Sequence, residues 1–289
     1  MRDDTALSRD RLWVVAVYLV ALTVAALTYV GASGLPPLLR AFVADVAGTV
    51  VVFGGSVALR NSSVYDPYWS VAPPLLWAVW ALERGVDARS LLVGVLVLAW
   101  GVRLTFNWAR GWAGLQHEDW RYRDIRSRTG PVYWVVSFLG IHLMPTVVVF
   151  VGCFGLFVAA SGGRPLGIVD ALAALLTAGA IVLEAVADEQ LRAYLARRPR
   201  PTAVMSEGVW SVSRHPNYLG EIAFWWGVWL FGVAARPDAW VWTLVGPATV
   251  TLLFLTVSLP MMEGRLAGRP GHDEYRRRVS ILIPLPPRR

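Results

Sequence analysis

The feature that most limits the fold is a succession of apolar stretches, at residues 12–31, 41–59, 69–85, 89–107, 133–161, 166–187, 219–235 and 239–262, joined by arginine-bearing connections. An α-helix needs about 20 such residues to cross a hydrocarbon core of about 30 Å. Inside that core every backbone N–H and C=O must be satisfied internally, so a chain of this pattern is expected to fold as a bundle of helices. The expectation is an all-α polytopic membrane protein of about eight transmembrane helices, with seven to nine as the range. Stretch 69–85 sets that range, because it is short and carries the adjacent Pro73 and Pro74, which lack the N–H a helix interior uses. A soluble domain carries about 25% charged residues. This chain has 16%, against 56% hydrophobic, and no soluble-looking block interrupts the pattern, so residues 1–289 read as a single integral membrane domain.

Arginine supplies the orientation. All 27 basic residues are Arg, and when the N-terminus, the even-numbered connections and the C-terminus are assigned to one side, that side holds 22 of them. The other side holds only Arg40, Arg84, Arg89, Arg164 and Arg236. Cytoplasmic loops carry the positive excess, so both termini are expected in the cytoplasm. The net charge of +7 then follows from topology and calls for no nucleic acid. The apolar run behind MRDDTALSRDR lacks a small-residue cleavage pattern and reads as a retained anchor. Cys153 is the only cysteine, which excludes an internal disulfide and a thiolate metal cluster. His117, His142, His215 and His272 lack metal-ligand spacing, so no metal is expected.

Residues 205–231, MSEGVWSVSRHPNYLGEIAFWWGVWLF, run from a polar turn straight into a tryptophan-rich helix. Asn217, Glu221 and Trp225 recur every four residues and share one helical face. Glu221 lies a turn inside the apolar segment, where an ionisable group is expensive and points to function. A structural alternative pairs it with Arg214 or His215 at the helix end.

Other polar clusters flank the helices. In NSSVYDPYWS, residues 61–70, Asn61, Tyr65, Asp66, Tyr68 and Trp69 suit a pocket mouth, although Tyr and Trp also anchor at bilayer interfaces. Residues 103–128 interleave Arg103, Arg110, Arg121 and Arg126 with Glu118, Asp119 and Tyr122, which reads as a folded, internally paired surface able to hold phosphates. Residues 133–161 exceed one crossing and carry His142 and Pro145, so a tilted or kinked helix is expected, with His142 a satisfied interior histidine. Glu184, Asp188 and Arg192 recur every four residues ahead of Pro199 and Pro201. The C-terminal RPGHDEYRRRVSILIPLP joins a turn, an arginine patch and an apolar end that can pack back on the membrane face.

SRHPNYLGE before a Trp-rich helix, with DEQLRAY upstream and RPGHDEYRRRVSILIPLPP downstream, resembles the membrane-embedded steroid 5-alpha-reductase family and its bacterial relatives of unknown substrate. The resemblance covers residues 60–289 and is strongest over 184–289. It implies NADPH as cofactor, a place in the endoplasmic reticulum or the bacterial inner membrane, and reduction of a carbon-carbon double bond in a lipophilic enone: a 3-oxo-delta-4-steroid, another isoprenoid or a lipid. It further implies that Asn217, Glu221 and Trp225 bind the cofactor, with Asp188 as the acid of the preceding helix and Arg192 or Arg197 as an arginine. Arg214, His215, Tyr218, Tyr275, Arg276, Arg121 and Tyr122 complete the expected cofactor-binding set, and arginines of 192–200 and 276–278 are available to phosphates. No GxGxxG occurs. Tyr65, Asp66 and Tyr68 are the expected catalytic groups, as donors to the substrate carbonyl. The family's Gln-Glu pair is absent, and YDPYWS occupies roughly that region. Isoprenylcysteine and phospholipid methyltransferases share the RHPxYxG element and bind S-adenosylmethionine there, which is the alternative. That cofactor has no phosphate and a cationic sulfonium, so arginine-bearing cytoplasmic elements favour NADPH.

Overall fold

The computed structural model describes residues 4–162, 164–197 and 204–288. Among them there is no strand, and seven helical stretches are long and apolar enough to cross a membrane: Leu7–Gly31, Pro37–Ala58, Ala88–Gly111, Trp120–Ala159, Ile168–Ala196, Pro216–Ala235 and Pro237–Leu266. The chain divides into two compact units, Met1–Arg84 with Val97–Val151, and Gly85–Leu96 with Gly152–Arg289.

In unit 1, α1 (Asp4–Gly31) and α2 (Pro37–Ala58) form an antiparallel hairpin, with Pro37 at the helix start where its missing N–H is harmless. The doubtful stretch is α3 (Tyr68–Arg84), 17 residues long, or about 25 Å. Its first residue meets Asp45 of α2, and its Glu83 meets Arg40 in the first turn of α2 at 2.9 Å. It therefore runs back along α2, and it is not one of the seven candidate spans, which sit within the expected range of seven to nine. Pro73 and Pro74 withdraw two N–H groups from the interior of α3. Gly101 of α4 (Ala88–Gly111) packs there, where a Cβ would stand 2.5 Å from Ser70 O and 2.9 Å from a Pro74 ring carbon. Beyond α5 (Trp120–Thr129), α6 (Tyr133–Val136) passes through a π-turn, Ser137–Leu143, into α7 (Met144–Gly152). That π-turn lies within the stretch expected to tilt or kink, 133–161, and Pro145 follows it in the first turn of α7.

In unit 2, α8 (Phe154–Ala159) and α9 (Ile168–Ala196) pack on α10 (Pro216–Ala235) through glycines. A Cβ on Gly155 would lie 2.7 Å from Trp229 Cα and 2.9 Å from Val228 O, and one on Gly220 would lie 2.9 Å from Ala180 O. Only glycine lets these backbones approach so closely. The start of α4 joins unit 2 through Arg89, which is buried and bonds both carboxylate oxygens of Asp170, at 2.7 and 2.9 Å, and the carbonyls of Arg164 and Pro165. After the short α11 (Trp240–Thr243), α12 (Val245–Leu253) passes through a second π-turn, Phe254–Ser258, into α13 (Leu259–Leu266). α14 (His272–Arg278) follows, and the tail returns to the turn before α10, with Arg214 N on Ser280 O and Leu285 N on Val212 O. The apolar C-terminal end thus packs back on the protein at residues 212–214.

Candidate functional site

The polar turn of unit 1 is set by how α2 ends. Arg60 takes a left-handed conformation, φ 54°, while Asn61 N bonds Ser56 O and Arg60 N bonds Val57 O, which closes the last carbonyls of α2. Asn61 then caps the next turn, Ser62–Tyr65, by accepting from Ser63 N, and its amide donates to the carbonyls of Leu115 and His117. From that pinned turn the three expected catalytic side chains leave in different directions.

Tyr65 Oη bonds Thr146 Oγ1 at 2.8 Å, and Thr146 in turn bonds Thr49. Burial pushes the Tyr65 phenol further above its usual range. Asp66 turns to α5 and accepts from Tyr122 Oη at 2.5 Å, while Arg121 pairs with Asp119 at 2.8 Å. Burial raises the Asp66 carboxyl to about 7 against the pull of Arg121. The structure therefore brings Asp66, Arg121 and Tyr122 together. Tyr68 stacks on Tyr65, with centroids 5.3 Å apart, and donates to Asp45 Oδ1 and Asp45 O, each at 2.8 Å. Beneath them His142 is fully buried, with Nδ1 on Ser137 O and Nε2 on Ser56 Oγ, the satisfied interior histidine the sequence suggested.

Asp45 stands outside the expected set. It is 6% exposed, its Oδ2 has no hydrogen-bond partner among the described residues, and it lines a groove of about 160 Å³ formed by α1, α2 and α3. Gly48 makes room for the Tyr68 hydroxyl, which a Cβ there would meet at 2.8 Å. The available signal was a lone acid inside an apolar run, the same rule that singled out Glu221.

In unit 2, Pro216 opens α10, and Asn217, Glu221 and Trp225 share a face as their spacing requires. Trp225 Nε1 donates to Glu221 Oε1 at 2.9 Å, and both side chains are buried. Asn217 Oδ1 is closed to solvent and has no hydrogen-bond partner among the described residues. His215 stacks on Tyr218, with centroids 5.2 Å apart. Asp188 and Arg192 lie one turn apart on α9, with Arg192 3.9 Å from Glu189; Arg198 and Arg200 lie outside the described residues.

Arg214 and His215 converge on Glu263 of α13, which sequence reading missed. Arg214 reaches it at 3.0 and 3.1 Å and also bonds Val279 O, His215 reaches it at 2.7 Å, and Arg276 at 3.3 Å. Tyr275 Oη donates to Trp210 O at 2.5 Å, tying α14 to the turn before α10. Burial raises the Tyr275 phenol and holds the His272 imidazole below its usual range. Arg214 thus braces the α10 turn, whereas Arg276, also paired with Glu263, remains half-exposed.

The chain is 27% identical over 220 residues to an uncharacterized protein of Schizosaccharomyces pombe, a match covering 67% of this chain and 64% of that one. The chain therefore spans less than two thirds of that relative's length. No solved structure matches. A family model described as a protein of unknown function, DUF1295, matches residues 52–279, most of the chain from α2 to the end of α14, and the chain belongs to that family.

Proposed function

We propose that the protein is a membrane-embedded, NADPH-dependent reductase of a carbon-carbon double bond in a lipophilic enone, akin to the steroid 5-alpha-reductases, working in the bacterial inner membrane with both termini in the cytoplasm. The observation that carries this reading is the Asp45–Tyr68 pair at the wall of an apolar groove. A carbonyl that gains negative charge during reduction needs a positioned donor, and one such donor contributes about 2.7–4 kcal/mol. In this reading a proton on Asp45 Oδ2 passes to the carbonyl oxygen, while Tyr68 Oη, donating to Oδ1, steadies the carboxylate that remains. Tyr65 holds the scaffold, since its hydroxyl is taken up by Thr146.

Unit 2 offers groups that fit a dinucleotide. The partnerless Asn217 Oδ1 suits an amide N–H of a nicotinamide, and Glu221, oriented by Trp225, suits a ribose hydroxyl. Tyr218 and His215 present stacked rings, and Arg276 and Arg192 are accessible to phosphate oxygens. When bound, NADPH supplies the hydride.

The test follows NADPH oxidation by the purified protein in detergent with a lipophilic enone. Tyr68→Phe is expected to lower kcat about 10²-fold, while Tyr65→Phe changes it little. Wild-type turnover in both Tyr68→Phe and Asp45→Leu sinks the assignment of the carbonyl end. Saturable binding of S-adenosylmethionine and none of NADPH replaces the reductase by a methyltransferase.

A further inference from the structure

Residues 278–288 of unit 2 form a closed loop. Arg288 N bonds Arg278 O at 2.9 Å where the loop shuts, and Ser280 Oγ donates to Ile283 O inside it. Its backbone is tied to the turn before α10, with Arg214 N on Ser280 O at 2.9 Å, Ser213 Oγ on Leu282 O at 2.8 Å and Leu285 N on Val212 O at 3.2 Å. Pro284, Pro286 and Pro287 restrict what backbone freedom is left. The loop is therefore held in shape, yet Ile281, Ile283 and Leu285 are 42%, 65% and 51% exposed. Its level follows from the helices beside it. The candidate span Pro216–Ala235 starts two residues after Arg214, at most about 7 Å of extended chain, so the loop stands where a bilayer meets water. Charge collects at the same place. Asp273 and Glu274 occupy the first turn of α14 and the arginines its last. Arg277, Arg278 and Arg288 are exposed; Arg278 lies 3.5 Å from Glu274, and Arg277 and Arg288 have no ion-pair partner among the described residues. Phosphate headgroups above acyl chains complement both features at once, because guanidinium forks bind phosphate oxygens while aliphatic side chains sink past them.

We propose that loop 278–288 is an anchor for an anionic phospholipid surface: Ile281, Ile283 and Leu285 enter the acyl boundary, and Arg277, Arg278 and Arg288 take headgroup phosphates. Through its bonds to residues 212–214 the anchor holds the turn from which α10 and Asn217 start. Anchoring needs neither NADPH nor a substrate.

The test places a nitroxide on Ile283→Cys in the full chain, in nanodiscs of phosphatidylcholine with and without phosphatidylglycerol. Cys153 is fully buried, and wild-type protein taken through the same labelling is the blank. Electron paramagnetic resonance reads how well the label is reached by oxygen, which concentrates among acyl chains, and by a water-soluble nickel chelate. With phosphatidylglycerol present the label is expected to be open to oxygen and shielded from nickel. Arg277→Gln and Arg288→Gln, both at exposed positions, are each expected to lower the ratio of immersed to water-exposed label about fivefold. A label open to nickel in phosphatidylglycerol nanodiscs, or an immersion that both variants leave unchanged, overturns the proposal. Shielding from both reagents marks a protein partner, a second copy included, in place of lipid and overturns it as well.

Discussion

Small residues serve opposite ends around α10 in unit 2 and along α1 in unit 1. In unit 2, Gly155 and Gly220 stand where a Cβ would press on a neighbouring backbone, so the missing side chain becomes contact between helices. In unit 1, the alanines of α1 border a groove and the space stays open. Their charges differ in the same way. Glu263 of unit 2 is surrounded by Arg214, His215 and Arg276, whereas Asp45 of unit 1 keeps one oxygen without a partner. A carboxylate ringed by cations, as Glu263 is, reads as scaffold, and one with an unmet oxygen beside open space, as Asp45 is, reads as a place for a ligand.

The largest test of this contrast is Glu263→Ala. It strands Arg214, whose side chain is only 9% exposed, and is expected to destabilise the protein by about 3–5 kcal/mol in detergent unfolding. A loss comparable to that of an exposed ion pair would break the picture of Glu263 as scaffold. Next comes Gly155→Ala, expected to cost about 2–3 kcal/mol because the new methyl meets backbone that cannot move aside.

Acidity gives a smaller effect. Asp66 has its folded pKa at about 7 through burial, above an unfolded value of about 3.9, so the folded chain holds the proton across that interval. The associated stabilisation is present below about pH 4 and is lost as pH rises through 7, about 1–2 kcal/mol for a half-buried, screened group. The thermal midpoint should fall between pH 5 and pH 8, and Asp66→Asn should flatten that fall; an unchanged slope in the variant removes Asp66 as its cause. Smallest is Ala25→Leu, expected to change stability by less than about 0.5 kcal/mol because it grows into open groove. Damage equal to that of Gly155→Ala would show that the groove is filled.

Much of the architecture was legible because hydrophobic length is a one-dimensional property. The apolar stretches became helices, and even the doubtful 69–85 became α3. The Asn217, Glu221, Trp225 spacing was legible for the same reason, since a helix turns period into a face, and the Trp225–Glu221 bond is its product. Partners far apart in the chain were not. Sequence proximity offered Glu221 to Arg214, but the carboxylate that binds Arg214 lies 49 residues away on α13. Asp45 carried no motif, and its pairing with Tyr68 depends on α3 returning along α2. Nor could composition foretell that Arg60 would take the left-handed position usually filled by Gly or Asn, from which Asn61 launches the polar turn.

The Arg89–Asp170 pair bears on the order in which the chain is made. The two residues are 81 positions apart, and at a synthesis rate of about 5–20 residues per second the partner emerges some 4–16 seconds after the arginine. Throughout that interval α4 carries at its first turn a cation whose final counter-charge does not yet exist, and a bare guanidinium is held near the water-facing boundary. The ion pair is a clasp that can close only late, joining the start of the fourth helix to one made much later.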